Sequence, residues 1–290
     1  MIKYGFQTYT WQMSYERYAD KIEHVADITK QSGLLGIEAE TCMLKGFFDT
    51  SSSEAFKKML AEKGVEFACL CLVCDWLHDG ETAEEKQLAD KSIEFVRAFP
   101  NAVFSLCPMP QNDRANLAER QKNALTCVNN IAKRAADFGI QSVFHPNSPP
   151  GSVFRTFDDY KLMLDGLDGK YIGFCPDSGH IINGGMDVYA IFHDYMPLIK
   201  HVHFKDVGTD GGWKIMGEGI TDFVKIVEML HRGGYDGYIM VEDESPEAEV
   251  DPDAVAIKNG EYIRSKLMPI GLFPSSEGCP IGRGGLQTES

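Results

Sequence analysis

Short runs of β-branched and aromatic residues recur along the chain, separated by longer stretches in which apolar residues return about every three to four positions. The short runs predict strands over 3–8, 36–40, 66–71, 102–106, 142–145, 171–176, 200–205 and 238–242. The longer stretches predict helices over 14–31, 52–63, 82–99, 113–138, 156–164, 187–192, 221–232 and 253–267. Start and stop signals support several of these: Ser53 and Thr82 precede acidic residues, and Gly33, Gly64 and Gly139 follow a last turn. The strands are too apolar to face water on either side, so the eightfold strand-then-helix alternation predicts an α/β fold, a closed (β/α)8 barrel; a doubly wound open sheet is the alternative.

This expectation sets the domain organisation as one barrel over 1–268 and an irregular Gly/Pro/Ser-rich tail over 269–290, which packs on the surface, meets a partner subunit or is disordered. The chain has 28 Lys and Arg against 43 Asp and Glu, a net charge of −15. Such a surface repels phosphate backbones and anionic membranes, which argues against nucleic acid and membrane partners. With neither a leader-like start nor a long apolar run, the expected location is the cytoplasm. Eight cysteines are dilute at this length, and Cys69, Cys71 and Cys74 fit reduced residues of a buried strand better than a zinc site.

In a (β/α)8 barrel the active site forms at the C-terminal strand ends. Here His145, Asp177, His203 and Glu242 close the fifth to eighth predicted strands. Neighbouring strand ends converge on one pocket, and a mixed carboxylate and imidazole set suits a divalent metal ion such as Mn²⁺, Co²⁺, Fe²⁺ or Mg²⁺, with positions left for substrate oxygens. Lys205, two residues beyond His203, could stabilise a developing oxyanion, or pair with Asp206 or Glu242. His201 lies deeper on the same strand. Tyr9, Trp11 and Trp76 follow the first and third strands, where an aromatic wall for a sugar or aglycone could stand.

The order of these strand-end motifs, Asp177 to His180, His201 to Asp206, Gly217 to Phe223 and Val241 to Glu242, resembles the xylose-isomerase-like barrel superfamily of sugar epimerases, inosose dehydratases and endonuclease IV-type repair enzymes. The resemblance implies that Asp177, His203 and Glu242 are the metal ligands, with Mn²⁺ the leading ion. It places His180 on a substrate hydroxyl, and Glu38 as a second-strand acid facing the pocket, with a catalytic role or as a supporting carboxylate beside Glu40. Keto-sugar epimerases of the superfamily have a glutamate where this chain has His145, so the symmetric pair of carboxylate bases is lost.

That departure favours one-sided chemistry: His145 removes a proton next to a ketone, Lys205 assists, and a β-leaving group departs. The segment from Phe144 to Gly151 is similar to the inosose dehydratase and C-glycoside deglycosidase α-subunit branch, with Asn147, His180, Tyr9 and Trp11 expected to touch substrate. The implied function is a metal-dependent lyase on a 3-keto-glycoside or inosose. The alternative is a ketose 3-epimerase or sugar isomerase on the same scaffold. A DNA repair enzyme would need a basic groove, and a non-catalytic scaffold would not need the ligand set. The implied partners are a small keto-sugar and either identical subunits or a small β subunit.

Overall fold

The computed structural model describes residues 1–272, so most of the predicted tail lies outside the described residues. Ten strands are present: β1 Lys3–Gln7, β2 Gly36–Glu40, β3 Glu66–Cys74, β4 Val103–Pro108, β5 Ser142–Phe144, β6 Ile172–Phe174, β7 Val202–Phe204, β8 Asp206–Val207, β9 Trp213–Lys214 and β10 Tyr238–Val241. Eight of them form one parallel sheet in the order β6-β5-β4-β3-β2-β1-β10-β7. Isolated parallel bridges Phe174 to Ile199 and Asp177 to His203 span the gap between β6 and β7, curling the sheet into a (β/α)8 barrel. The closed barrel, rather than the open doubly wound sheet, is therefore the fold.

Parallel strands flanked by helices are buried on both faces, which is why the strands read as continuous apolar runs. The main core fills the layer between strands and helices. A separate small cluster of Ala68, Tyr238 and Met240 fills the barrel's lower interior. Gly36 makes room for it, because a Cβ there would lie 2.4 Å from the Tyr238 ring. Tyr238 in turn donates to Glu66 at 2.6 Å, and Lys3 pairs with the same carboxylate at 2.7 Å, closing the barrel floor.

The predicted helix over 14–31 is broken, with Tyr15–Tyr18 and Ile22–Gln31 separated by a turn in which Lys21 leaves the helical region at ψ 30°. Among the features that escaped the periodicity are the short helix Ser178–Asn183 and the β8–β9 hairpin, both at the top of the barrel. The seven described cysteines are free, and Cys69, Cys71 and Cys74 all lie in β3. Among the described residues no helix is long and apolar enough to cross a membrane.

Candidate metal centre

The site is built in tiers, because every second residue of a barrel strand faces inward. On β7 and its flanks His201, His203 and Lys205 climb one inner face, and on β2 Glu38 and Glu40 do the same. A register shift between β2 and β3 falls between Ile37 and Glu38, and such irregularities re-aim side chains beside them. In the lowest tier, Glu38 Oε2 accepts from His201 Nε2 at 2.7 Å and from His203 Nε2 at 2.8 Å, with all three side chains out of contact with water. Burial would raise the Glu38 carboxyl, but the two imidazoles hold it far below the carboxylate range.

The middle tier is the ligand set expected from the sequence. Donor atoms of His145, Asp177, His203 and Glu242 all lie within 4.8 Å of one another. His203 Nδ1 sits 2.9 Å from Glu242 Oε2. His145 Nε2 and Asp177 Oδ2 face each other at 3.8 Å, and neither has a hydrogen-bond partner although both are buried. Buried polar groups are rarely left unpaired, and a cation beside Asp177 Oδ2 would satisfy that oxygen and leave His145 Nε2 facing whatever occupies the pocket. The donor set of two carboxylates and two imidazoles therefore fits a divalent metal of the Mn²⁺ to Zn²⁺ series.

The local sequence explains each member. Asp177 caps the helix Ser178–Asn183, its Oδ1 accepting from His180 N at 2.8 Å, so its other oxygen is left for the pocket. Ser178 Oγ exchanges hydrogen bonds with the backbone of Lys205 at 2.9 and 3.0 Å, stitching β6 to β7 where no ladder does. Gly179 is needed because a Cβ would fall 2.8 Å from Trp213 and 3.0 Å from Lys205. Burial lowers His145, yet the Asp177 carboxylate carries it up to about 9. His203 likewise overcomes burial through Glu38 and Glu242, reaching about 10. Without a cation, both imidazoles are protonated at neutral pH.

The upper tier corrects two expectations. Lys205 is no free oxyanion donor: its Nζ is engaged by Glu242 Oε1 at 2.8 Å, by Glu244 Oε1 and by His180 Nε2 at 3.2 Å, and its side chain is buried. Of the two partners weighed for it, Glu242 is the one it meets, and Asp206 is occupied elsewhere. It accepts from Gly217, Gly219 and Thr221 amides at 2.8 to 3.2 Å, which anchors the loop after β9 and accounts for the Gly217 to Phe223 motif. Glu38 is the second correction, since it lies beneath His203 and does not reach the cavity.

Above the ligands opens a cavity of about 770 Å³ whose walls include Tyr9, Gln12, Glu40, Trp213 and Glu244, with His145, Asn147, His180, His203 and Glu242 at its base or sides. His180 is held neutral, since burial and the Lys205 ammonium push it down to about 3. Its Nε2 must then accept from Lys205, so its Nδ1–H donates to Ser148 Oγ at 2.9 Å. Asn147 lines the cavity, but its amide is tied to Pro108 O at 2.8 Å and its carbonyl to Ser152. Of the expected aromatic wall only Tyr9 is there. Trp11 is packed edge-on against Phe6 with its Nε1 donating to Asp253 at 2.7 Å, and Trp76 is likewise buried. The aromatic that does line the cavity, Trp213, comes from the hairpin that the sequence pattern missed.

Glu40 is another cavity residue to which the sequence reading gave no role of its own. Gln12 donates to it at 2.9 Å, while burial and the charges of Glu242 and Glu38 push its carboxyl up to about 7. The alternation that places Glu38 inward also places Glu40 inward, one tier higher, and that was the available signal.

A profile described as xylose isomerase-like TIM barrel matches residues 26–266. Inosose dehydratase of Lacticaseibacillus casei is 30% identical over 160 residues, covering 49% of this chain and 53% of that protein. The chain thus spans about half the length of the curated relatives it matches. Among solved structures, an IolI protein with a bound zinc atom aligns at TM-score 0.72 and 15% identity, covering 92% of this chain and 98% of that one. A 3-keto-D-glucoside 4-epimerase from E. coli aligns at TM-score 0.69 and 17% identity, covering 91% and 100%.

Proposed function

Because the chain belongs to the xylose isomerase-like TIM barrel family, we propose that it is a divalent-metal-dependent lyase that removes a proton next to the ketone of a keto-sugar and expels a β-leaving group. The observation that carries this reading is the pair of partnerless atoms, His145 Nε2 and Asp177 Oδ2, opposed at the base of a cavity large enough for a sugar. Asp177, His203 and Glu242 would hold the metal, leaving positions open as catalytic sites do. When bound, that ion supplies Lewis-acid polarisation of the ketone oxygen.

The remaining steps fall to side chains of this chain. A cation on Asp177 would cancel the carboxylate charge that holds His145 up near 9, and His145 Nε2, free of any protein hydrogen bond, then takes the proton α to the ketone. Glu40, with a carboxyl near 7, carries a proton for the departing group at neutral pH. His180, with both ring nitrogens engaged by Lys205 and Ser148, offers no acidic proton and shapes the cavity wall. Lys205 keeps Glu242 and Glu244 apart and is a positioning residue. The inosose dehydratase relative supports loss of water; a C-glycoside or other 3-keto-glycoside with a carbon or oxygen leaving group would use the same groups.

The test is His145→Gln with metal content measured alongside turnover of an inosose and a 3-keto-glycoside. Loss of turnover by about a hundredfold with the cation retained supports the base role, which is the usual size of a general-base contribution. Loss of the cation as well moves His145 into the ligand set, and unchanged turnover removes it from the chemistry. The epimerase reading has the support of the E. coli structural neighbour. Incubation in heavy water separates the two: an epimerase returns sugar of unchanged composition carrying deuterium, whereas a lyase releases water or a second fragment.

A further inference from the structure

Most of the charge around the cavity is already matched. Lys205 is spent on Glu242 and Glu244, and elsewhere Arg114 and Arg134 are spent on Asp159 and Glu81. Arg155 is different. It lines the cavity from the segment after β5 and forms no ion pair among the described residues. Two backbone carbonyls fix its guanidinium: Nε donates to Ser148 O at 2.7 Å and Nη2 to Asn183 O at 3.4 Å. Neither partner is charged, and Nη1 has no acceptor among the described residues. Ser148 also meets His180 through its hydroxyl, so the cation is held by the same loop that carries His145 and Asn147.

A half-buried guanidinium, fixed in place and lacking a counter-ion, is complementary to a planar or tetrahedral oxyanion, which it can grip through parallel N–H bonds. The opposite wall, with Glu40 and Glu244, would repel such a group and so sets its orientation. We propose that Arg155 recognises an anionic group, carboxylate or phosphate, carried by the sugar substrate. This rests on the reading of the cavity as a keto-sugar site and narrows its substrate class to acidic sugars.

The experiment uses the full chain loaded with Mn²⁺ and titrates D-glucose, D-glucuronate and D-glucose 6-phosphate, followed by calorimetry and by the fluorescence of Trp213, the cavity-lining member of the three tryptophans. At least one acidic sugar should bind about tenfold more tightly than glucose, as a charge-assisted contact gives. Whether glucuronate or the phosphate gains identifies the group. Arg155→Gln should erase the advantage while leaving glucose within about twofold, and Arg155→Lys, which keeps the charge but not the fork, should keep part of it. Equal binding of all three sugars to the unaltered protein overturns the proposal, as does an advantage that survives Arg155→Gln, which would assign the anion to the metal. Binding of none of them defeats the sugar-site reading itself.

Discussion

Replacing Glu38 by glutamine strikes the metal centre without removing a ligand. The carboxylate accepts from both His201 and His203 in a tier with no access to water, so it orients His203 with Nε2–H downward and leaves Nδ1 for the cation. A hydrogen bond to a charged group contributes about 1.5–3 kcal/mol and a neutral one about 1 kcal/mol, so losing the charge weakens the bond that fixes His203 by about 1–2 kcal/mol. Removal of such an outer carboxylate usually costs about 10–100-fold in metal affinity, equivalent to about 1.4–2.7 kcal/mol. The two figures agree. Competition of Mn²⁺ against a chelating dye at pH 7.5 measures the change directly. Glu40→Gln, two residues further along β2 but facing the cavity, is the control and should shift metal affinity less than about threefold. If Glu38→Gln binds Mn²⁺ as tightly as the unaltered protein, His203 is not the oriented ligand and the centre lies elsewhere.

Manganese uptake at pH 7 should release about one to two protons per ion, because His145 and His203 stand near 9 and 10 without the cation and a coordinating nitrogen must give up its proton; apparent affinity then rises with pH, and calorimetry in buffers of different ionisation heat that finds no release refutes it. Lys205→Met leaves Glu244 without its cation and Glu242 with His203 alone, and should cost about 3–5 kcal/mol at neutral pH. Glu244 is already raised by burial; a carboxyl raised in the fold contributes stability below its unfolded value near 4.3 and loses it as pH rises through the folded value, so the deficit should grow from pH 5 to pH 8 in denaturant melts, and a flat deficit counts against the pairing. Gly151→Ala puts a Cβ 1.5 Å from the Gln111 carbonyl oxygen and should destabilise by about 3 kcal/mol, lowering Tm by about 6–12 °C; an unchanged melt refutes the close approach of Gly151 to Gln111.

The barrel was legible because its strands carry a period and a composition that few other folds share, and β2 runs over the predicted 36–40. β3 and β4 extend past their predicted ends because Val73 and Cys74 pair with Cys107 and Pro108, a long-range contact with no local signature. The convergence of His145, Asp177, His203 and Glu242 was legible for a different reason: each sits at a strand end, and strand ends converge whatever the loops do. Lys205 and Glu38 were placed at the right height with more than one role open, and the structure selects the Glu242 pairing for Lys205 and the supporting position for Glu38, since inward alternation fixes a side chain's tier and does not choose among the neighbours it meets across the ring. Trp11 and Trp213 mark the limit. Both follow strands, and only the three-dimensional path of the hairpin determines which aromatic reaches the cavity.

The short motifs that survived this translation are those in which one residue satisfies two demands. Asp177 must cap a helix with one oxygen and present the other to the pocket, so substituting it would upset both the local backbone and the ligand set. Gly179 must yield space to both Trp213 and Lys205. Such positions leave little freedom, and their spacing can be read from a single sequence. Arg155 and Glu40 each satisfy one demand, toward whatever occupies the cavity. Neither holds the fold together, since Arg155 is bound through backbone carbonyls that tolerate other donors and Glu40 through a single glutamine. Substrate selection is therefore expected to reside in residues that motif spacing leaves unmarked, and exchanging those two side chains should alter which sugar binds while the metal stays in place.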